Sequence, residues 1–149
     1  METRLNILEH MGALKPLFGL ATHLSKSTLD INLRELVNFR ISQINGCAYC
    51  LDMHAKDARH RGETEQRLYG LSAWRETPFY SERERAALAF AEAVNKAHVS
   101  DAVYAQAQAQ FTEQELIDLT LVVTTIGTWN RLNITFTNAV GSYKVGQFA

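Results

Sequence analysis

Behind Thr112-Glu113-Gln114-Glu115, apolar side chains recur at Leu116, Leu119, Val123, Ile126, Trp129, Leu132 and Phe136. That spacing of three and four lines one face of a helix and fits no strand. The leading tetrapeptide is a capping box, in which Thr112 and Glu115 each satisfy a backbone N–H that the first turn leaves free. A long helix is expected from about Glu113 to Asn138, with Gly127 a candidate kink.

The same period recurs along the chain, proline occurs only at 16 and 78, and strand-like alternation is hard to find. The chain therefore reads as all-α. A first helix is expected over about His10–Ser25, interrupted by Pro16. A second covers about Asn32–Ile44 and stops at Asn45-Gly46, where glycine accepts the left-handed cap. A third starts at about Cys47 and ends in basic residues before Gly62, which suits the negative end of the helix dipole. A fourth covers about Glu65–Ser72, and Trp74–Pro78 is the best linker candidate. Ser81-Glu82-Arg83-Glu84 is a second capping box that opens a further helix, and Asp101–Gln110 is helical by propensity. No composition shift divides the chain, so residues 1–149 read as a single domain and one helical bundle.

Charge narrows the function classes. The chain has 15 Lys and Arg against 16 Asp and Glu, so no basic excess points to nucleic acid or an acidic membrane surface. The most apolar run, Leu119–Ile126, is broken by three threonines and is too short to span a bilayer. The N-terminus carries no signal-peptide pattern. The expected location is the cytoplasm, where a cysteine pair is more often catalytic or metal-binding than a structural staple.

The only two cysteines are Cys47 and Cys50, and His54 follows four residues later. At about 100° per residue the three fall within roughly one 60° sector of a helix. Both cysteines lie at the helix start, where free N–H groups and the dipole favour an anion and lower a thiol pKa. The spacing supplies a closable disulfide and an activated nucleophile. Glu35 lies twelve residues before Cys47 on the preceding helix, and the Asn45-Gly46 turn would fold it back toward His54, where a carboxylate would orient the imidazole.

The stretch Glu35-Leu-Val-Asn-Phe-Arg-Ile-Ser-Gln-Ile-Asn-Gly-Cys47-Ala-Tyr-Cys50-Leu-Asp-Met-His54 resembles the core of the carboxymuconolactone decarboxylase family, and more narrowly its alkylhydroperoxidase AhpD-like branch. The resemblance is strongest over roughly Leu33–Gly62 and weaker through the Ser81 helix and Trp129-Asn130-Arg131-Leu132-Asn133. It implies an all-helical fold that assembles as a homotrimer or homohexamer, with the site near subunit contacts. It implies reduction of a hydroperoxide substrate, with Cys50 peroxidatic, Cys47 resolving, and His54 with Glu35 as proton relay. A dithiol, or a thioredoxin- or lipoyl-type protein, would reduce the resulting disulfide. The chain would need no metal, flavin or nicotinamide cofactor. One position departs from the pattern: the best-studied type has histidine directly before the second cysteine, and here that residue is Tyr49. A tyrosine donates a hydrogen bond but is no base near neutral pH.

Other readings of the same residues stand beside this one. Cys47, Cys50, His54 and Glu35 match a four-ligand zinc set by ligand type. The cysteines could be inert core residues, His54 a satisfied core histidine, and Glu35 a surface partner of Arg34 or Arg40. Tyr49 reads as a packing or interface residue. His10, His23, His60 and His98 read as surface residues, and the charges from Lys56 to Arg61 as a solvated helix end. Trp129, Asn130 and Arg131 read as packing residues rather than pocket lining. Two other functions are open: a decarboxylase-type lyase, which needs no thiols, and a redox sensor that oxidises without turnover.

Overall fold

The computed structural model describes residues 2–148 and contains seven α-helices, with no strand among the described residues. They are α1 (Met11–Ser25), α2 (Ile31–Asn45), α3 (Ala48–His60), α4 (Glu65–Gly70), α5 (Glu82–Asn95), α6 (Asp101–Gln108) and α7 (Glu113–Phe136). Short 3-10 turns span Ile7–His10 and Leu71–Glu76.

Side chains set most of the helix starts. Asp30 accepts from the amides of Asn32 and Leu33 to cap α2, and Thr64 and Ser100 cap α4 and α6. Both expected capping boxes are formed, Ser81 with Glu84 and Thr112 with Glu115. Each such cap contributes about 1 kcal/mol.

Two expectations are corrected. Pro16 does not interrupt α1, which runs unbroken through it. The bond lost is the one to the Gly12 carbonyl, and both residues are exposed. Trp74–Pro78 is not a plain linker: Leu71–Glu76 is a 3-10 turn, and Trp74 is buried with its Nε1 donating to Glu92 at 2.9 Å.

Helix α2 lies at the centre and packs against α3, α5 and α7. Leu33, Val37 and Ile41 of α2 meet Ala87, Phe90 and Ala91 of α5 and Leu119, Val122, Val123 and Ile126 of α7. Burying each large aliphatic side chain contributes about 1.5–3 kcal/mol. Cys47 and Cys50 belong to the same cluster, so the site is built into the core. A smaller cluster of Leu36, Leu71, Trp74, Tyr80 and Leu88 holds the α4 end against α2 and α5. Among the described residues no helix is long and apolar enough to cross a membrane.

Candidate active site

The turn from α2 into α3 places the cysteines. Gly46 caps α2 in the left-handed region at φ 73°, and its amide and that of Cys47 both return to the Ser42 carbonyl. Polar groups pin this corner to α7: Asn45 Nδ2 donates to Asn130 Oδ1 at 2.9 Å, and Asn130 Nδ2 donates to Ser42 Oγ at 3.0 Å. Asn130 is fully buried, so each of these bonds satisfies a group that would otherwise cost about 1–3 kcal/mol.

Cys47 is the N-cap of α3, and its Sγ accepts the Cys50 amide at 3.3 Å. The two sulfurs are joined as a disulfide, with Cα atoms 5.3 Å apart. Both cysteines are buried, as is His54 one turn beyond Cys50. The three therefore share the inward face of α3, as their spacing demands.

His54 Nδ1 lies 2.7 Å from Glu35 Oε2. This is the contact expected between the two helices, and it fixes the imidazole ring. His54 Nε2 is buried with no hydrogen-bond partner. With Nδ1–H donating to the carboxylate, Nε2 carries the free lone pair and can accept a proton. Arg34 and Arg40 are not partners of Glu35: Arg34 donates to the Leu24 carbonyl, and Arg40 to Glu92 at 2.8 Å.

Two residues outside the motif reach the site. Asn133 is buried on α7, and its Nδ2 lies 3.5 Å from Cys50 Sγ and 2.8 Å from the Trp129 carbonyl. Its signal in the sequence was a pair of asparagines, Asn130 and Asn133, on the apolar face of a long helix. Asp57, one turn past His54, forms a cluster with Glu35 and His54 in which one carboxylate oxygen of each acid and a ring nitrogen of His54 lie within 4.8 Å of one another.

A cleft of about 410 Å³ opens beside the disulfide, lined by Cys47, Tyr49, Asn133, Ile134, Asn138 and Val140 among others. It meets the Cys47 side of the pair. Tyr49 is half-buried against the core, and burial, with the charge of Asp52, pushes its pKa up. It stays a protonated donor at the cleft wall.

Trp129 packs edge-on against Phe18 at 5.7 Å, in keeping with a packing role. The four remaining histidines are exposed, although His23 has a partner in the buried Asp118 at 2.9 Å. The expected solvated end of α3 holds for Arg59, His60 and Arg61, which are exposed, and is corrected for two residues. Lys56 and Asp57 are half-buried and hold the C-terminal segment, Lys56 through the Gly141 and Tyr143 carbonyls and Asp57 through the Tyr143 hydroxyl.

The pattern of the carboxymuconolactone decarboxylase family matches residues 10–93, more than half of the chain. The uncharacterized protein YdfG of Bacillus subtilis (strain 168) is 39% identical over 132 residues, spanning 87% of this chain and 90% of that protein. A protein of unknown function from Agrobacterium tumefaciens, described as a candidate antioxidant defence protein AhpD, has a crystal structure that superposes with a TM-score of 0.90. It is 36% identical, and the match covers 95% of this chain and 100% of that one. The alkylhydroperoxidase AhpD core of an uncharacterized peroxidase-related protein from Ralstonia eutropha JMP134 shares the fold at a TM-score of 0.80 and 20% identity, over 91% of this chain and 74% of that one. With its cysteine pair, His54 and Glu35 placed as the motif requires, this chain belongs to the carboxymuconolactone decarboxylase family, in its AhpD-like branch.

Proposed function

We propose that this protein is a thiol-dependent hydroperoxide reductase that cycles through the Cys47–Cys50 disulfide. The observation that carries the reading is a closed cysteine pair at the start of α3 with the His54–Glu35 pair one turn beyond it.

In the reduced protein His54 Nε2 takes the Cys50 proton, and Glu35 holds the imidazolium that forms. The N-terminal turn of α3 and the Asn133 amide stabilise the thiolate. The thiolate attacks the outer peroxide oxygen, the O–O bond breaks, and the departing alkoxide takes the proton from His54 and leaves as an alcohol. Cys50 is then a sulfenic acid. The Cys47 thiol condenses with it, forming the disulfide and releasing water. A dithiol attacks the disulfide, both cysteines return to thiols, and the donor leaves oxidised. The cleft on the Cys47 side is the proposed route for peroxide and donor, and Tyr49 is the donor group on its wall in place of a histidine. A homotrimer or homohexamer, as in the resemblance, is the proposed assembly, and the cytoplasm the proposed compartment.

The lyase reading leaves the disulfide without a task, and the sensor reading differs only in lacking turnover. Peroxide consumption with a dithiol donor separates all three. The expected result is sustained turnover in the wild type and none in Cys50→Ser. Full activity in Cys50→Ser would reject the mechanism.

A further inference from the structure

Tyr143 lies in the segment that follows α7, and its side chain is buried. Its hydroxyl is 2.9 Å from each carboxylate oxygen of Asp57. The segment is braced on α3 at other points. Lys56 Nζ donates to the carbonyls of Gly141 at 3.3 Å and Tyr143 at 3.1 Å, and Asp52 accepts the Gly141 amide at 3.1 Å. The hydroxyl is thus fixed in place over one carboxylate of the Glu35–His54–Asp57 cluster.

The charged and titratable groups that face Asp57 are Glu35 on α2, His54 and Arg61 on α3, and Tyr143, with Arg34 beside Glu35 and Arg61. Burial pushes the Asp57 pKa up, and the charge of Glu35 adds to this; the Tyr143 hydrogen bond, His54 and Arg61 oppose them. Tyr143 itself is pushed up to about 12, first by burial and then by Asp57, so it remains a donor at any ordinary pH.

We propose that Asp57 is a positioning residue for the thiol chemistry and that Tyr143 keeps it charged, so that its carboxylate stabilises the imidazolium His54 becomes on taking the Cys50 proton. The proton moves only from Cys50 Sγ to His54 Nε2; Asp57 and Tyr143 exchange none. The carboxylate within 4.8 Å of the ring attracts the positive charge that the ring carries once it has taken that proton. The proposal rests on the thiol reading of the site, and it makes the C-terminal segment part of that site.

The test is the rate at which iodoacetamide alkylates Cys50 in the reduced protein, read by site-resolved mass spectrometry across pH, with circular dichroism to confirm folding. Asp57→Asn should slow alkylation about tenfold at neutral pH, the equivalent of one pKa unit. Asp57→Glu should recover part of that loss. Tyr143→Phe should be slow at low pH and return to the wild-type rate as the pH rises and Asp57 ionises unaided. Equal slowing of Tyr143→Phe at every pH is a packing effect and overturns the proposal, as does wild-type reactivity in Asp57→Asn. Peroxide turnover is measured in parallel. A wild type that shows the alkylation behaviour but consumes no peroxide rejects the peroxidase reading alone. One that turns over peroxide with unshifted profiles in both variants rejects this proposal alone.

Discussion

Replacing Glu35 with glutamine removes one charge and almost no volume, so it isolates what the carboxylate does for His54. The 2.7 Å bond from Nδ1 joins two largely buried side chains, 8% and 12% exposed. As His54 gains the Cys50 proton, that bond becomes one between an imidazolium and a carboxylate. Charged hydrogen bonds contribute about 1.5–3 kcal/mol against roughly 0.5–1.5 for neutral ones, so the loss should be about 1–2 kcal/mol. At 1.36 kcal/mol per decade this is roughly a five- to thirtyfold fall in the rate of sulfenic acid formation. A glutamine that instead turns its NH2 toward Nδ1 forces the other tautomer, puts a hydrogen on Nε2, and deepens the loss. The assay is stopped-flow peroxide reaction of the pre-reduced protein, with the unfolding midpoint measured on the same samples. A folded Glu35→Gln protein that reacts within about twofold of wild type would refute the relay, because a remaining neutral hydrogen bond cannot replace the charge.

Two predictions test the scaffold. Leu119 is fully buried in the core face of α7, so Leu119→Ala should cost about 2–5 kcal/mol of stability, read from urea denaturation at constant slope. Glu92 tests the pH dependence. Burial alone would raise its pKa, but hydrogen bonds from Trp74, Arg40 and Arg75 together outweigh that and hold it below the ordinary glutamate value. Its stabilisation is therefore complete above the unfolded-chain value of about 4.3 and is lost as pH falls through the folded value. Stability should fall more steeply with acid in the wild type than in Glu92→Gln, and parallel denaturation curves would contradict this assignment.

Local signals in the chain account for most of the architecture. The capping boxes at Ser81 and Thr112, the Asn45-Gly46 stop and the helical spacing of apolar residues each act within one or two turns, and each is realised in the fold. The Glu35–His54 contact was legible because one short turn joins their helices and dictates which faces meet. Trp74 reads as a linker residue because its neighbours Arg75, Thr77 and Pro78 resemble a loop; it is buried against Leu36, Leu71, Tyr80 and Leu88 and bonded to Glu92, 18 residues away. Asp57 and Tyr143 are 86 residues apart, and no local pattern marks a tyrosine beyond the last helix as a partner of α3. Asn133 stands 83 residues from Cys50, and only the packing of α7 against α3 brings the two together.

The central claim is that Cys50 attacks the peroxide and Cys47 resolves it. One equivalent of hydroperoxide added to the fully reduced protein, followed by intact mass spectrometry, tests it directly. The wild type should lose two hydrogens as the disulfide forms, and Cys47→Ser should instead gain one oxygen on Cys50. An oxygen found on Cys47 in Cys50→Ser at the wild-type rate, or reduced wild type that leaves the peroxide unconsumed, would contradict it.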